Sequence, residues 1–241
     1  MRHQLASTKN VRRFQTAMRE LRDRSLGVEG MGLLWGRPGE GKTTIIAHSA
    51  NEMDGVYLRA NAGWTVTSML QALVRELGGV SGNRRFPMLT YCFDKLRGGS
   101  RPIFVDEADY LFRQTEMLDA LRDVYDETGS PVVLIGMEDI ARTIQNNGRF
   151  ARRITAWVEF KGIDRDDART VADTVCEVNL EDDLLDHLHQ QARANIGRMV
   201  VGLSRIERFA KTSGLATVSR TAWNDRELFY DQPHFNKARK Q

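Results

Sequence analysis

Gly36-Arg37-Pro38-Gly39-Glu40-Gly41-Lys42-Thr43 fits G-x-x-x-x-G-K-[ST], the pattern of a phosphate-binding loop. Just upstream, Met31-Gly32-Leu33-Leu34-Trp35 reads as a buried strand, and residues 44–53 read as a helix. A strand, a glycine-rich turn and a helix in that order form the first unit of an open α/β sheet. The glycines let successive backbone N–H groups turn inward around an anion, beside the positive end of the helix dipole. Lys42 is then positioned to reach the β- and γ-phosphates of ATP, and the Thr43 hydroxyl to help hold Mg²⁺. Gly36, Pro38, Gly39, Glu40, Gly41, Lys42, Thr43 and Thr44 are accordingly the candidate nucleotide-binding residues.

Outward from this unit, apolar runs at 56–58, 102–105, 131–135 and 156–160 read as further strands. Helical spacing at 67–77, 89–96 and 116–128 alternates with them, which predicts a parallel sheet with helices on both faces. Val11, Phe14, Met18 and Leu21 recur at helical spacing among Arg12, Arg13, Arg19 and Arg22, so residues 1–27 read as a basic amphipathic helix. From residue 164 onward only helical patterns occur, near 164–177, 181–194 and 197–211. The expected organisation is an N-terminal helix (1–27), an α/β nucleotide-binding core (28–162), a small all-helical lid (163–211) and an irregular tail (212–241).

The chain has 241 residues and carries a net charge of +3, with 41% hydrophobic and 28% charged residues. That is ordinary for a globular protein able to bury a good core. No apolar run approaches the roughly 20 residues a membrane-spanning helix needs, and no secretory signal is visible at the start of the sequence. The two cysteines, Cys92 and Cys176, lack metal-ligand spacing, and the simplest expectation is a reducing cytoplasmic compartment. Charge is segregated: 1–29 and 81–101 are basic, whereas 164–187 is acidic. Such segregation points to a polyanion on one face and a neighbouring subunit on another, or equally to solvated helix faces of either sign.

Ile103-Phe104-Val105-Asp106-Glu107 is an apolar strand ending in two acids. The carboxyl ends of parallel strands are where such sheets bind ligands. Asp106 can orient the Mg²⁺ shell, and Glu107 can polarise an attacking water. Asp109 either extends this acidic cluster or caps the helix that follows. Gly148-Arg149-Phe150-Ala151-Arg152-Arg153-Ile154 supplies guanidiniums suited to an arginine finger reaching the nucleotide of an adjacent subunit, with Arg149 and Arg153 the leading candidates. Arg198, at the start of the last long helix, can meet the same phosphates from the lid side, or can simply decorate that helix. A polar sensor is expected where the strand at 131–135 ends, but Gly136-Met137-Glu138 offers only Glu138, an awkward partner for phosphate.

Together, the phosphate loop, Asp106-Glu107, the Arg149/Arg153 pair and Gly197-Arg198 resemble an AAA+ ATPase over residues 28–211. Within that superfamily the layout is similar to the initiator-like branch. It most resembles the target-DNA regulators of transposition, the B protein of Mu-like phages and TnsC, through softer similarities at Thr8-Lys9-Asn10-Val11-Arg12-Arg13, Asn61-Ala62-Gly63-Trp64 and 148–154. The resemblance implies ATP and Mg²⁺ as cofactors, self-association into rings or helical filaments, double-stranded DNA as ligand and a cognate transposase as client. Because only about 29 residues precede the first strand here, it also implies that the ATPase core itself binds DNA. Arg59, Arg84, Arg85, Arg97, Arg101 and Arg113 lie in the segments that face the channel of such assemblies. Repeated cations there would bind phosphates with salt-dependent, sequence-neutral affinity. A helicase loader or replication initiator shares this chemistry, and a nucleotide-gated protein scaffold without DNA binding is the alternative of a different class.

Overall fold

Met31–Gly36 becomes β1, and its burial follows from its place inside the sheet. In the computed structural model, which describes residues 1–98 and 101–230, five parallel strands run in the order β2-β3-β4-β1-β5. The others are β2 (Val56–Arg59), β3 (Ile103–Asp106), β4 (Val132–Gly136) and β5 (Ile154–Phe160). β1 pairs with β4 in the register Met31↔Val132 to Trp35↔Gly136, and with β5 up to Gly36↔Phe160. A strand flanked on both sides has its backbone groups paired and both faces covered by helices. This is why β1, β3 and β4 are almost continuously apolar.

Helices join the strands: α1 (Lys9–Arg22) before β1, α2 (Lys42–Glu52), α3 (Val66–Glu76), α4 (Arg85–Leu96), α5 (Thr115–Thr128), α6 (Glu138–Asn146) and α7 (Gly148–Ala151). α1 begins at Thr8, whose side chain accepts the Val11 N–H, and buries Val11, Phe14, Met18 and Leu21. It packs against β1 and β5 so closely that a Cβ on Gly32 would meet Leu21 Cδ1 at 2.9 Å. Phe14 and Phe160 meet edge-to-face at 6.4 Å on that side. On the other side, α3, α4 and α5 bury Leu70, Leu73, Cys92 and Val124 against β2, β3 and β4. A short 3₁₀ turn, Ala108–Arg113, follows β3, and with α6 and α7 it is an element that residue spacing did not predict.

The chain divides into two compact units, Ser7–Lys161 and a second composed of Met1–Ala6 with Gly162–Gln241. α1 thus belongs with the sheet, while the first six residues join the C-terminal unit. That unit holds α8 (Arg165–Val175), α9 (Asp182–Ala192), α10 (Ile196–Ser213) and α11 (Arg220–Trp223). It is not all-helical: β6 (Asn179–Leu180) and β7 (Thr217–Val218) pair in parallel. Segments of two residues carry no periodicity, which is why they cannot be read in sequence. The expected irregular tail is likewise ordered as far as residue 230, with Val218, Trp223 and Leu228 buried in this unit's core. The remainder, 231–241, lies outside the described residues. Among the described residues, no helix is long and apolar enough to cross a membrane.

Candidate nucleotide site

The loop between β1 and α2 is shaped by backbone conformations that only glycine adopts cheaply. Gly39 and Gly41 have φ of 80° and 85°. A Cβ on Gly36 would sit 2.4 Å from Phe160 O and 2.6 Å from Glu40 Oε2, so no side chain fits there. α2 starts at Gly41 without a side-chain cap, which leaves its first-turn N–H groups available to an anion. Lys42 Nζ donates to Gly36 O (2.7 Å) and Arg37 O (2.9 Å), arching back over the loop. Burial lowers the Lys42 pKa, partly offset by Glu40, Asp106, Asp109 and Glu107. A partly desolvated ammonium among these N–H donors suits a polyphosphate, and the cradle fits the group the sequence implies. Thr44, the third residue of α2's first turn counting from the cap, is exposed at its rim. Pro38 lies in the loop's exposed turn.

Glu40 has a different part. Its side chain is buried, and its Oε2 accepts the Arg37 N–H at 3.0 Å, bracing the loop from within. Burial raises its pKa, while the Arg37 N–H and Lys42 pull the other way. The adjacent Arg37 is exposed and reaches Glu138 Oε1 at 3.0 Å, so the acid at the end of β4 is engaged with a cation of the loop.

Asp106 and Glu107 follow β3 beside this cradle. Asp106 is 4% exposed, and three donors hold it. Thr43 Oγ1 and the Tyr57 hydroxyl both donate to Oδ2 at 3.0 Å, and the Glu107 N–H donates to Oδ1 at 2.9 Å. Burial first, and then the Asp106 charge, push the Tyr57 phenol up to about 12, so it acts as a donor. Glu107 adopts a left-handed conformation (φ 54°) at the start of the 3₁₀ turn, a strained geometry that recurs at functional sites. Its Oε1 lies 3.6 Å from Arg59, across the β2–β3 register Arg59↔Asp106. Asp109 is among the acids whose charge reaches Lys42, and its Oδ2 accepts the Met137 N–H at 3.0 Å, tying the end of β4 to the turn after β3. Thr43 and Asp106 offer the hard oxygen donors that Mg²⁺ prefers.

The candidate finger residues sit at the other end of the sheet. Arg149 is in α7, and Ile154 then pairs with Met31 at the amino end of β1. From Met31 to Gly36 the strand rises roughly 17 Å, longer than an arginine side chain. Arg149 and Arg152 are exposed, with no side-chain partner among the described residues. Arg153 differs: it forms a two-pronged pair with Asp126 of α5 (3.1 and 2.9 Å), and its NH1 donates to Arg149 O. Arg198 belongs to the C-terminal unit, where its guanidinium stacks on Phe229 at 4.2 Å and donates to Gln191 O.

The six arginines expected to meet DNA do not form one patch. Arg59 ends β2, Arg84 and Arg85 open α4, and Arg113 closes the 3₁₀ turn with its guanidinium over Tyr110, all near the carboxyl end of the sheet. Arg85 also donates to Thr67 Oγ1 and faces Glu116 at 3.7 Å, while Phe86 beside it is 80% exposed. α4 then carries the chain roughly 18 Å to the opposite end. Arg97 pairs there with Asp94, and Arg101 with Asp54, just before β2 and β3 begin. Tyr57 and Asp126 were not singled out from the sequence. A tyrosine inside a strand looks like core, and Asp126 is 27 residues from its arginine partner.

No curated protein sequence matches the chain. Among solved structures, it is similar to ORC2 of Aeropyrum pernix in ADPNP and ADP complexes (TM-score 0.66, 17% identity, covering 92% of this chain and 68% of that one). It is also similar to Cdc6p of Pyrobaculum aerophilum (0.60, 16%, 87% and 63%) and to Aeropyrum pernix ORC1 in complex with DNA (0.60, 16%, 88% and 62%). At such identities the likeness is one of fold, and the chain spans just over three fifths of the Cdc6p and ORC1 chains. A family model described as an AAA domain matches residues 24–144, half of the sequence and the stretch that contains the cradle and Asp106-Glu107. With its five-stranded parallel sheet and phosphate loop, the chain belongs to the AAA domain family.

Proposed function

We propose that this protein is an ATPase that assembles with copies of itself on double-stranded DNA and presents that DNA to a transposase. The observation that carries the reading is the separation of its nucleotide chemistry between two ends of one sheet. Lys42, Thr43, Asp106 and Glu107 gather at the carboxyl end, while Arg149, without a side-chain partner among the described residues, sits at the amino end. Strand length keeps Arg149 from its own protomer's cradle, so its guanidinium is available to a neighbour's. Heterologous, head-to-tail contact of this kind generates rings or helical filaments.

In this reading the glycine loop, Lys42 and Thr44 hold the phosphates, and Thr43 with Asp106 holds Mg²⁺. Bound Mg²⁺–ATP supplies the transferable γ-phosphoryl group with part of its charge neutralised. Glu107 orients a water and accepts its proton. Arg149 of the next protomer, with Arg152 beside it, meets the charge that develops on the transferred group. Arg153, committed to Asp126, positions this turn and leaves the finger role to Arg149.

DNA enters through Arg59. Exposed ion pairs are worth about 0–1 kcal/mol, so the Arg59–Glu107 contact exchanges readily for a phosphate. Arg59, Arg84, Arg85 and Arg113 then grip the duplex backbone, and Glu107 is freed to act on water. The transposase as client rests on the sequence resemblance. A replication initiator or helicase loader is the second reading, favoured by the fold likeness to Cdc6 and ORC proteins. The test is ATP turnover of the wild type and Arg59→Ala, with and without duplex DNA, alongside electron microscopy with ATP. We expect DNA to stimulate the wild type, Arg59→Ala to have raised turnover without DNA, and filaments to need both ATP and duplex. No turnover and no salt-sensitive DNA retention would favour the protein scaffold. Transposase stimulation, as against helicase loading, separates the two DNA readings.

A further inference from the structure

We propose that Tyr57 is a positioning residue for the divalent metal ion, setting the orientation of the Asp106 carboxylate through its hydroxyl. The proposal rests on the reading of Thr43 and Asp106 as the metal-facing pair. Asp106 has two oxygens and, among the described residues, three donors. The Glu107 N–H fixes Oδ1, while Thr43 Oγ1 and the Tyr57 hydroxyl converge on Oδ2 at the same 3.0 Å. The three donors come from three different elements, β2, α2 and the turn after β3. A carboxylate held from three directions cannot rotate about its own side-chain axis.

Of these donors, only Tyr57 stands apart from the cradle. Thr43 belongs to the metal site itself, and its hydroxyl orientation changes when its oxygen faces a cation. The Glu107 N–H is part of a strained turn. Tyr57 lies in the middle of β2, opposite Phe104 of β3, so a regular parallel ladder carries its ring to the carboxylate. It therefore keeps Asp106 in place whether or not Thr43 has turned. Partners of this outer kind typically change metal affinity or activity by about 10–100-fold when removed. The same strand bears Arg59 two residues on, beside Glu107. One edge of β2 thus touches both acids, the tyrosine acting on the metal-facing one and the arginine on the water-facing one.

The experiment compares wild type with Tyr57→Phe, which deletes one oxygen and keeps the ring packed. ADP binding is measured by calorimetry, first in EDTA and then across a Mg²⁺ series, with no turnover required. The expected result is a rise of about tenfold in the Mg²⁺ concentration that half-saturates the tightening of ADP binding, with the affinity in EDTA unchanged. An unshifted Mg²⁺ dependence overturns the proposal. So does an equal loss of affinity in EDTA, which would make Tyr57 a support of the loop and not of the metal-facing carboxylate. A wild type that binds ADP with no response to Mg²⁺ overturns the underlying reading of Thr43 and Asp106, and the proposal with it.

Discussion

The two ends of the central sheet are built in opposite ways. At the carboxyl end nearly every polar side chain is spoken for: Asp106 is held by three donors, Lys42 arches onto two carbonyls, and Glu40 is buried against the Arg37 N–H. At the amino end, Arg149 and Arg152 project without side-chain partners among the described residues, beside Arg153, which is tied to Asp126. A preorganised cradle spends little ordering itself around a ligand, which favours affinity. Free guanidiniums are the opposite case, since they gain a partner only when another molecule supplies one. In the proposed reading, the difference teaches that a single protomer holds one half of the nucleotide chemistry and offers the complementary half, Arg149, to a neighbour.

Substitutions at the amino end sharpen that contrast. The largest effect is expected from Arg149→Ala. Removing a finger of this type should lower ATP turnover by about 10³-fold, while nucleotide affinity of the isolated protomer stays at the wild-type value. Equal loss of affinity would mean that Arg149 serves its own cradle and would break the comparison. The smallest effect is expected from Arg153→Ala. Its bidentate pair with Asp126 joins the start of β5 to α5, so its loss should appear as a Tm lowered by roughly 2–4 °C, as expected for about 1 kcal/mol in a chain of this size. Turnover measured well below that temperature should change far less than in Arg149→Ala. A thousandfold loss there would exchange the roles assigned to the two arginines.

The carboxyl end was the more legible in sequence, for a physical reason. Its chemistry is local, carried by the eight residues 36–43 and by two acids directly after an apolar strand. The turn's need for glycine and the strand's need for continuous apolar residues both leave marks on neighbouring positions. Strand positions 31–36, 56–59 and 103–106 accordingly agree with the apolar runs to within a residue or so. What stayed hidden depends on contacts between distant segments. Tyr57 reaches Asp106 only because β2 lies next to β3, an adjacency that no local pattern encodes. Arg153 and Arg149 are alike in sequence, and the approach of α5 is what ties Arg153 to Asp126. The split of the six basic residues has the same origin. α4 is long enough to carry Arg97 and Arg101 away from Arg84 and Arg85, although they are close in sequence.

The most direct test of a shared nucleotide site is a mixing experiment. Glu107→Gln and Arg149→Ala are each prepared pure, and ATP turnover is measured for each alone and for an equimolar mixture on duplex DNA. Each variant alone should be nearly inactive. In the mixture, an Arg149→Ala protomer contributes an intact cradle and Glu107, and a Glu107→Gln neighbour contributes Arg149. With random head-to-tail assembly, roughly a quarter of the interfaces are then complete, and turnover should recover to about that fraction of the wild type. A mixture no more active than its components would contradict the account.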